Sequence, residues 1–380
     1  MAEPPIDVPL LDLHSQLSRI RVQVERAIAA VLDHGRFILG PEVARLEQEL
    51  ARMTGAGHVV GCSSGTDALL VALLAYGVGP GDAVLVPSFT FVATAEAVVR
   101  CGATPVFVDV RADTLTVDPE SVAAGQARAR EAGLRPVGLI PVDLFGQPAD
   151  YDTLAKVATA GELWVLADAA QSLGGSLAGR PVGSLAEVTA TSFFPAKPLG
   201  CYGDGGALFT DSAELAARFR SLRVHGRGSD TYDNVLVGLN ARLDTLQAAI
   251  LLAKLEVFSD ELARRRAIAD RYTAALAEVV AVPGVLAGAM SAWACYTVRV
   301  ADRDRVRERL RQAGIASAVY YRTPLHRQPA FSAFPTAPGR LAVSDKAASE
   351  VLSLPSHPYL EEATQDRVIE ALQSAAALLG

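Results

Sequence analysis

Four short apolar runs constrain this chain more than anything else in it: Ala83–Val86, Thr104–Val108, Val137–Pro141 and Leu163–Ala167. Each is almost continuously hydrophobic, and they alternate with helical stretches such as Ala95–Arg100. A strand apolar on both sides has no face to give to water. The pattern therefore predicts an α/β fold, a mostly parallel sheet covered by helices on both faces. His58–Cys62 and Ala207–Thr210 read as further strands, and Val188–Phe194 is β-prone. Ligands of such sheets collect beyond the carboxyl ends of the strands. That is where the polar and aromatic residues of this sequence fall.

The chain has 380 residues, half of them hydrophobic, enough for one large domain and a smaller one. Residues 15–254 are expected to form the large α/β domain. Residues 255–380 are expected to form a smaller α+β domain, on which residues 1–14 pack. A net charge of −7 leaves no basic footprint for nucleic acid. The four cysteines lack CxxC spacing and the six histidines lack metal-ligand spacing, so no metal site is expected. The first ten residues show no signal-peptide pattern, and no apolar run approaches the ~20 residues of a membrane span. These features read as a soluble, cytoplasmic protein.

Leu17–Leu32 and Glu42–Met53 have helical periodicity, with Pro41 suited to a first turn. Glu214–Leu222 also reads as a helix, and polar Arg223–Leu239 as a mobile surface loop. Asn240–Asp244 is expected to open a long amphipathic helix. Beyond it come an alternating strand (Tyr296, Val298, Val300), an arginine-rich helix (Asp304–Ala313) and a second strand (Ala316–Tyr320).

The chemistry concentrates around Lys197, in Ser192-Phe193-Phe194-Pro195-Ala196-Lys197-Pro198, followed by Gly203-Asp204-Gly205-Gly206. Neither proline can donate to a ladder, so the lysine is displayed at a strand end. Surroundings that exclude water lower an amine's pKa and make it nucleophilic. Alone, it also reads as a loop lysine beside a tight turn. Upstream, Ser63-Ser64-Gly65-Thr66-Asp67 caps a buried helix whose N-terminus suits an anion, although an ordinary capped core helix has the same pattern. Asp168 closes a buried strand, where a carboxylate is costly unless a cation faces it. It precedes Lys197 by 29 residues, enough for a crossover back to the same edge. Pyridoxal 5'-phosphate would use all of these at once: a lysine for a Schiff base, a carboxylate opposite the ring nitrogen, an anion site, and a flat partner such as Phe91.

Ser63–Leu69, Pro87–Thr94, Asp168-Ala169-Ala170-Gln171, Ser192–Lys197 and Gly203–Gly206 together resemble the nucleotide-sugar aminotransferases of the DegT/DnrJ/EryC1/StrS family. Asn240–Asp244 and Pro324-Leu325-His326 extend the match, which covers nearly the whole chain. The resemblance implies the aspartate-aminotransferase fold (fold type I) and a homodimer with active sites at the subunit interface. It implies that Lys197 bonds the cofactor and carries the proton, that Asp168 pairs with the ring nitrogen, and that Gln171 lies beside the phenolic oxygen. Phe91 would stack on the ring. Gly65, Thr66 and Ser192 would bind the phosphate, with Asn240 reaching in from the partner subunit. Glutamate would donate the amino group and a keto group on a nucleotide-linked sugar would receive it.

Phe193–Ala207, Arg242–Leu251 and Ser353–Leu360 most resemble the subgroup of 3-aminotransferases acting on UDP-2-acetamido-2-deoxy-3-oxo-glucuronic acid in bacterial surface-polysaccharide synthesis. There the arginine matching Arg242 contacts the sugar carboxylate; the plainer reading puts Arg242 in a helix's first turn at the dimer interface. Tyr320-Tyr321 stands where that subgroup has His-Tyr, a departure that bears on the carboxylate and not on the reaction type. Tyr321, Arg322 and His326 are the remaining candidate sugar contacts. Amination at C4 of a 4-keto-6-deoxy sugar is the alternative within the family. The sister branch that dehydrates sugars has histidine in place of the lysine. A non-catalytic regulator would bring a DNA-binding motif, and a nicotinamide enzyme a GxGxxG between first strand and helix; the sequence has neither.

Overall fold

The computed structural model describes residues 6–230, 232–339 and 341–377. The outermost residues of the two expected terminal segments, 1–5 and 378–380, and Thr231 of the expected surface loop lie outside the described residues.

The strands follow the apolar runs. They are β1 (His58–Cys62), β2 (Asp82–Pro87), β3 (Thr104–Val108), β4 (Arg135–Leu139) and β5 (Trp164–Asp168), then the two-residue β6 (Ser176–Leu177) and β7 (Arg180–Pro181). After them come β8 (Val188–Ser192), β9 (Gly206–Thr210), the short β10 (Ala289–Met290), β11 (Tyr296–Arg299) and β12 (Val351–Leu354). The central sheet has seven strands in the order β1-β9-β8-β5-β4-β2-β3. β9 runs antiparallel to both its neighbours, and the other pairings are parallel. All six residues of β2 and four of the five in β3 are buried, as their unbroken hydrophobicity requires.

The helices are α1 (Leu13–His34), α2 (Pro41–Thr54), α3 (Gly65–Ala75), α4 (Ala93–Arg100), α5 (Pro119–Glu131) and α6 (Tyr151–Gly161). They continue with α7 (Ala213–Leu222), α8 (Thr245–Leu276), α9 (Arg303–Gln312), α10 (Ala342–Glu350) and α11 (Glu362–Ala377). Pro41 is the first residue of α2, where its missing N–H costs nothing. α3 packs against β8 and α4 with Ala68–Leu73 all buried, which explains its lack of a polar face. α8 contributes Leu251 and Phe258 to a core with α2. It contributes Ile268, Tyr272 and Leu276 to a second core with β11, β12, α9 and α11. Fully buried Val8 belongs to that second core and bridges to Ile315.

Two expected elements differ. Asn240–Asp244 does not begin the helix: it passes the end of β1 with a bridge Cys62↔Arg242, bridges Ile38↔Asp244 before α2, and α8 starts at Thr245. The edge of β1 needs partners, and this segment supplies the carbonyl of Ala241 to the N–H of Ser63 (3.1 Å). Ala316–Tyr320 is not a strand. Ala318 exchanges a single pair of bonds with Ser353 and the chain then turns away, so the ladder to β11 is made by β12. α8 also runs unbroken through the expected boundary at 254/255.

His357 is 4 % exposed, and neither ring nitrogen has a hydrogen-bond partner among the described residues. Burial pushes its pKa down to about 4. The unfolded chain therefore takes up a proton below about pH 6.5 that the folded chain refuses until about pH 4, so stability falls as pH falls through this window. Urea unfolding should show a loss of about 2 kcal/mol between pH 7.5 and pH 5 that His357→Gln removes. Parallel curves for the two proteins would refute the assignment.

Candidate active site

The register of the sheet assembles the site. Cys62, Gly206 and Ser192 pair across β1, β9 and β8, and Asp168 pairs with Ala190 one strand further on. The segments that leave these strands therefore emerge side by side. Ser64 caps α3 by accepting the N–H of Asp67 at 3.0 Å, leaving the first turn at Gly65 and Thr66 pointing at this edge. Two glycines permit the close approach. A Cβ on Gly65 would lie 2.7 Å from the Cβ of Ser192, and one on Gly206 would lie 2.4 Å from the carbonyl oxygen of Ser64. Gly65, Thr66 and Ser192 thus form one cradle with backbone N–H groups and hydroxyls at the positive end of a helix dipole.

Asp168 lies beyond the cradle, 6 % exposed. One carboxylate oxygen accepts the hydroxyl of Thr94 at 2.8 Å and the other the N–H of Ala170 at 3.2 Å. Burial raises its pKa despite these donors and the nearby Lys197. Two hydrogen bonds and Lys197 only partly offset the burial of this carboxylate, which suits a cation placed against it. Lys197 is half-buried in a tight turn, its N–H bonded to the carbonyl of Phe194 (2.8 Å). Burial lowers its pKa, with Cys295 and Asp168 acting in the opposite sense.

Gln171 is oriented from behind, since its Oε1 accepts the N–H of Phe145 at 2.6 Å. Its Nε2 lies 3.5 Å from the hydroxyl of Tyr321. The Tyr321 ring stands 6.2 Å from both Phe89 and Phe91. Phe91 is 53 % exposed, an apolar ring with an open face. The structure thus brings Lys197, Asp168, Gln171 and Tyr321 into one pocket.

Other candidates stand apart. Asn240 is exposed and accepts from Nε of half-buried Arg242 at 2.9 Å, on the segment that flanks Ser63. Arg322 is exposed, with its guanidinium 3.9 Å from Asp304 of α9. His326 is not open to a ligand. Its Nδ1 is 2.6 Å from the Ser88 hydroxyl and its Nε2 is 3.3 Å from Asp345.

Three residues of the site escaped the sequence reading. Thr94 lies within the Pro87–Thr94 stretch, and its hydroxyl was the available signal. Asp143 is fully buried just past β4. It accepts from Ser172 (2.6 Å), Tyr151 (2.8 Å) and the N–H of Ala149 (2.9 Å), while burial pushes it up to about 7. Its N–H bonds the carbonyl of Asp168 (3.0 Å), so it braces the chain under the site. Cys295 lies close to Lys197, a thiol pushed up to about 11 by burial and therefore uncharged, and no local pattern marks it.

The DegT/DnrJ/EryC1/StrS aminotransferase family matches residues 18–373. The chain is 45 % identical over 366 residues to the UDP-2-acetamido-2-deoxy-3-oxo-D-glucuronate aminotransferase of Pseudomonas aeruginosa, covering 96 % of this chain and 99 % of that one. The crystal structure of a DegT DnrJ EryC1 StrS aminotransferase from Brucella abortus superposes with a TM-score of 0.96 at 48 % identity, covering 97 % of this chain and 99 % of that one. A Bacillus subtilis structure solved with the cofactor PMP bound gives 0.87 at 29 % identity, covering 99 % and 86 %. The sheet order is that of a fold type I enzyme, and the chain is a member of the DegT/DnrJ/EryC1/StrS aminotransferase family.

Proposed function

We infer that this chain transfers the amino group of glutamate to the keto group of a nucleotide-linked sugar, using pyridoxal 5'-phosphate. The observation that carries the reading is the buried, under-compensated carboxylate of Asp168 on the same edge as a lysine whose amine is held toward its neutral form. Those residues fit the cofactor. Gly65, Thr66 and Ser192 would hold its phosphate, Phe91 and Gln171 would flank its ring, and Asp168 would meet its ring nitrogen. When bound, the cofactor supplies an electron sink for the carbon that loses its proton.

The protein's part is binding and proton management. A neutral Lys197 takes a proton at its Nζ and returns it, which its lowered pKa favours. Asp168, once a cation faces it, stays charged, and Thr94 and the Ala170 N–H hold its two oxygens. Gln171, fixed by Phe145, keeps its amide turned into the pocket. Across the two halves of the reaction, glutamate and the keto sugar become 2-oxoglutarate and the amino sugar.

The acceptor in this reading is a 3-keto UDP sugar such as UDP-2-acetamido-2-deoxy-3-oxo-glucuronate, the compound named for the P. aeruginosa relative, with Arg242 and Tyr321 as sugar contacts in polysaccharide or glycoside synthesis. A homodimer with shared sites is part of the proposal, with Asn240 and Arg242 serving the partner's pocket. Phe37, Ile38, Phe194 and Val237 are exposed large hydrophobic side chains that such a dimer could bury. The proposed location is the cytoplasm; no helix among the described residues is long and apolar enough to cross a membrane.

Purified protein loaded with the cofactor should show a visible band that borohydride shifts, and should convert a 3-keto UDP sugar with a mass change of one amination. Conversion of 4-keto-6-deoxy sugars alone would overturn the acceptor and leave the reaction type standing. Lys197→Ala should lower turnover on the order of a thousandfold or more. Thr94→Val should weaken the hold on Asp168 and cost about tenfold in kcat/KM, whereas Asp168→Ala should cost far more. Equal losses for Thr94→Val and Asp168→Ala would contradict the hierarchy.

A further inference from the structure

The segment 319–327 carries Tyr321 into the pocket, yet its only regular structure is a single turn of 3₁₀ helix at Leu325–Arg327 with no side-chain cap. A stretch this irregular holds an aromatic ring in place only if something outside it supplies the constraint. That something is visible one turn beyond Tyr321. Ser88, the first residue past β2 and fully buried, receives the segment at three points. Its carbonyl accepts the N–H of Leu325 (2.8 Å), its hydroxyl accepts the N–H of His326 (3.3 Å), and the same hydroxyl lies 2.6 Å from Nδ1 of His326. Ser88 is itself tied to β3 by its N–H to the carbonyl of Val108 (2.9 Å).

The far side of the imidazole is fixed as well. Asp345, in the first turn of α10, sits 3.3 Å from Nε2, and Arg327 grips that carboxylate with Nε at 3.1 Å and a terminal nitrogen at 2.6 Å. A carboxylate near Nε2 favours the proton on that nitrogen, and with it Nδ1 as the acceptor for the Ser88 hydroxyl. α10 is anchored in turn: Asp109, at the end of β3, accepts the N–H groups of Val343 (3.0 Å) and Ser344 (2.8 Å) and the Ser344 hydroxyl (2.6 Å). A serine at the end of β2 and an aspartate on a helix pinned to β3 thus hold one ring between them. Phe89 follows Ser88 directly and Phe91 comes two residues later, and those are the rings that Tyr321 meets at 6.2 Å.

We propose that His326 is a positioning residue, the keystone of a Ser88–His326–Asp345 relay that fixes Tyr321 against Phe89 and Phe91 and so sets the wall on which the nucleotide sugar is received. This deepens the function proposed above and rests on it for the identity of the ligand. His326 takes no part in the chemistry and touches no substrate. Its effect reaches the pocket through the backbone between residues 321 and 326.

The test reads the segment and the reaction separately, on the full chain. Amide hydrogen exchange of the peptide spanning 318–327, measured without cofactor, should speed up about tenfold in Ser88→Ala and in His326→Ala, with peptides from β1 and α3 unchanged. In the cofactor-loaded enzyme, both variants should raise KM for the keto sugar about tenfold with a smaller effect on kcat. His326→Asn, which keeps an acceptor near the Nδ1 position, should recover most of the loss. The Ser88→Ala/His326→Ala double variant should be no worse than either single one, since both break one relay. Unchanged exchange at 318–327 overturns the proposal. So does faster exchange spread over the whole chain, faster local exchange with KM unaltered, or multiplying effects in the double variant. If the wild-type enzyme aminates no keto sugar, the assigned function fails, and the exchange measurement still decides whether the relay holds the segment.

Discussion

A carboxylate buried at the end of β5 with two hydrogen-bond donors is the constraint on which the rest of the structure turns. Burial raises the pKa of Asp168, because the surroundings that exclude water from it also remove the solvation its charge would need. The sheet supplies part of the answer through Thr94 and the Ala170 N–H, and Lys197 acts in the same direction from the far side of the pocket. Each of the two ionisable groups is pushed toward its neutral form by the same desolvation. A cationic heterocycle placed between them would stabilise the acid as a carboxylate without charging the amine. That is the division of labour a proton-transferring site requires.

Around this pair the fold uses close backbone approach rather than many polar side chains. Gly65 and Gly206 leave no room for a Cβ, so the cap of α3, the end of β8 and the start of β9 lie against one another. An anion at that spot meets backbone donors whose positions are set by strand register. Register is shared across β1, β9 and β8, and a slip in any one would separate Gly65 from Ser192.

Much of this was legible in the sequence, for a definite reason. Runs such as Thr104–Val108 are apolar on both faces, so their length and burial follow from composition alone, and β3 spans those five residues. Asp168 and Lys197 came out on one edge because strand ends in a parallel sheet are equivalent positions. Local pattern failed where a distant partner decides the outcome. Asn240–Asp244 has helix-compatible residues, yet it pairs with β1, some 180 residues earlier, and so stays extended. Ala316–Tyr320 reads as a strand, but only Ala318 pairs, with Ser353 on the outer edge of β12, before the chain turns away. The link from Gln171 to Tyr321 spans 150 residues and that from Ser88 to His326 spans 238, distances over which neither periodicity nor spacing carries information.

α8 joins the two cores as one uninterrupted rod of 32 residues, roughly 48 Å long at the usual rise per residue. Its first half is embedded beside the sheet and its second half carries the other core, so the phase of the helix dictates how the C-terminal lobe faces the pocket. One residue inserted or deleted near its middle would swivel that lobe by roughly 100°. Side chains on the solvent side of this rod can thus vary while its length, and the side chains it gives to the two cores, stay locked.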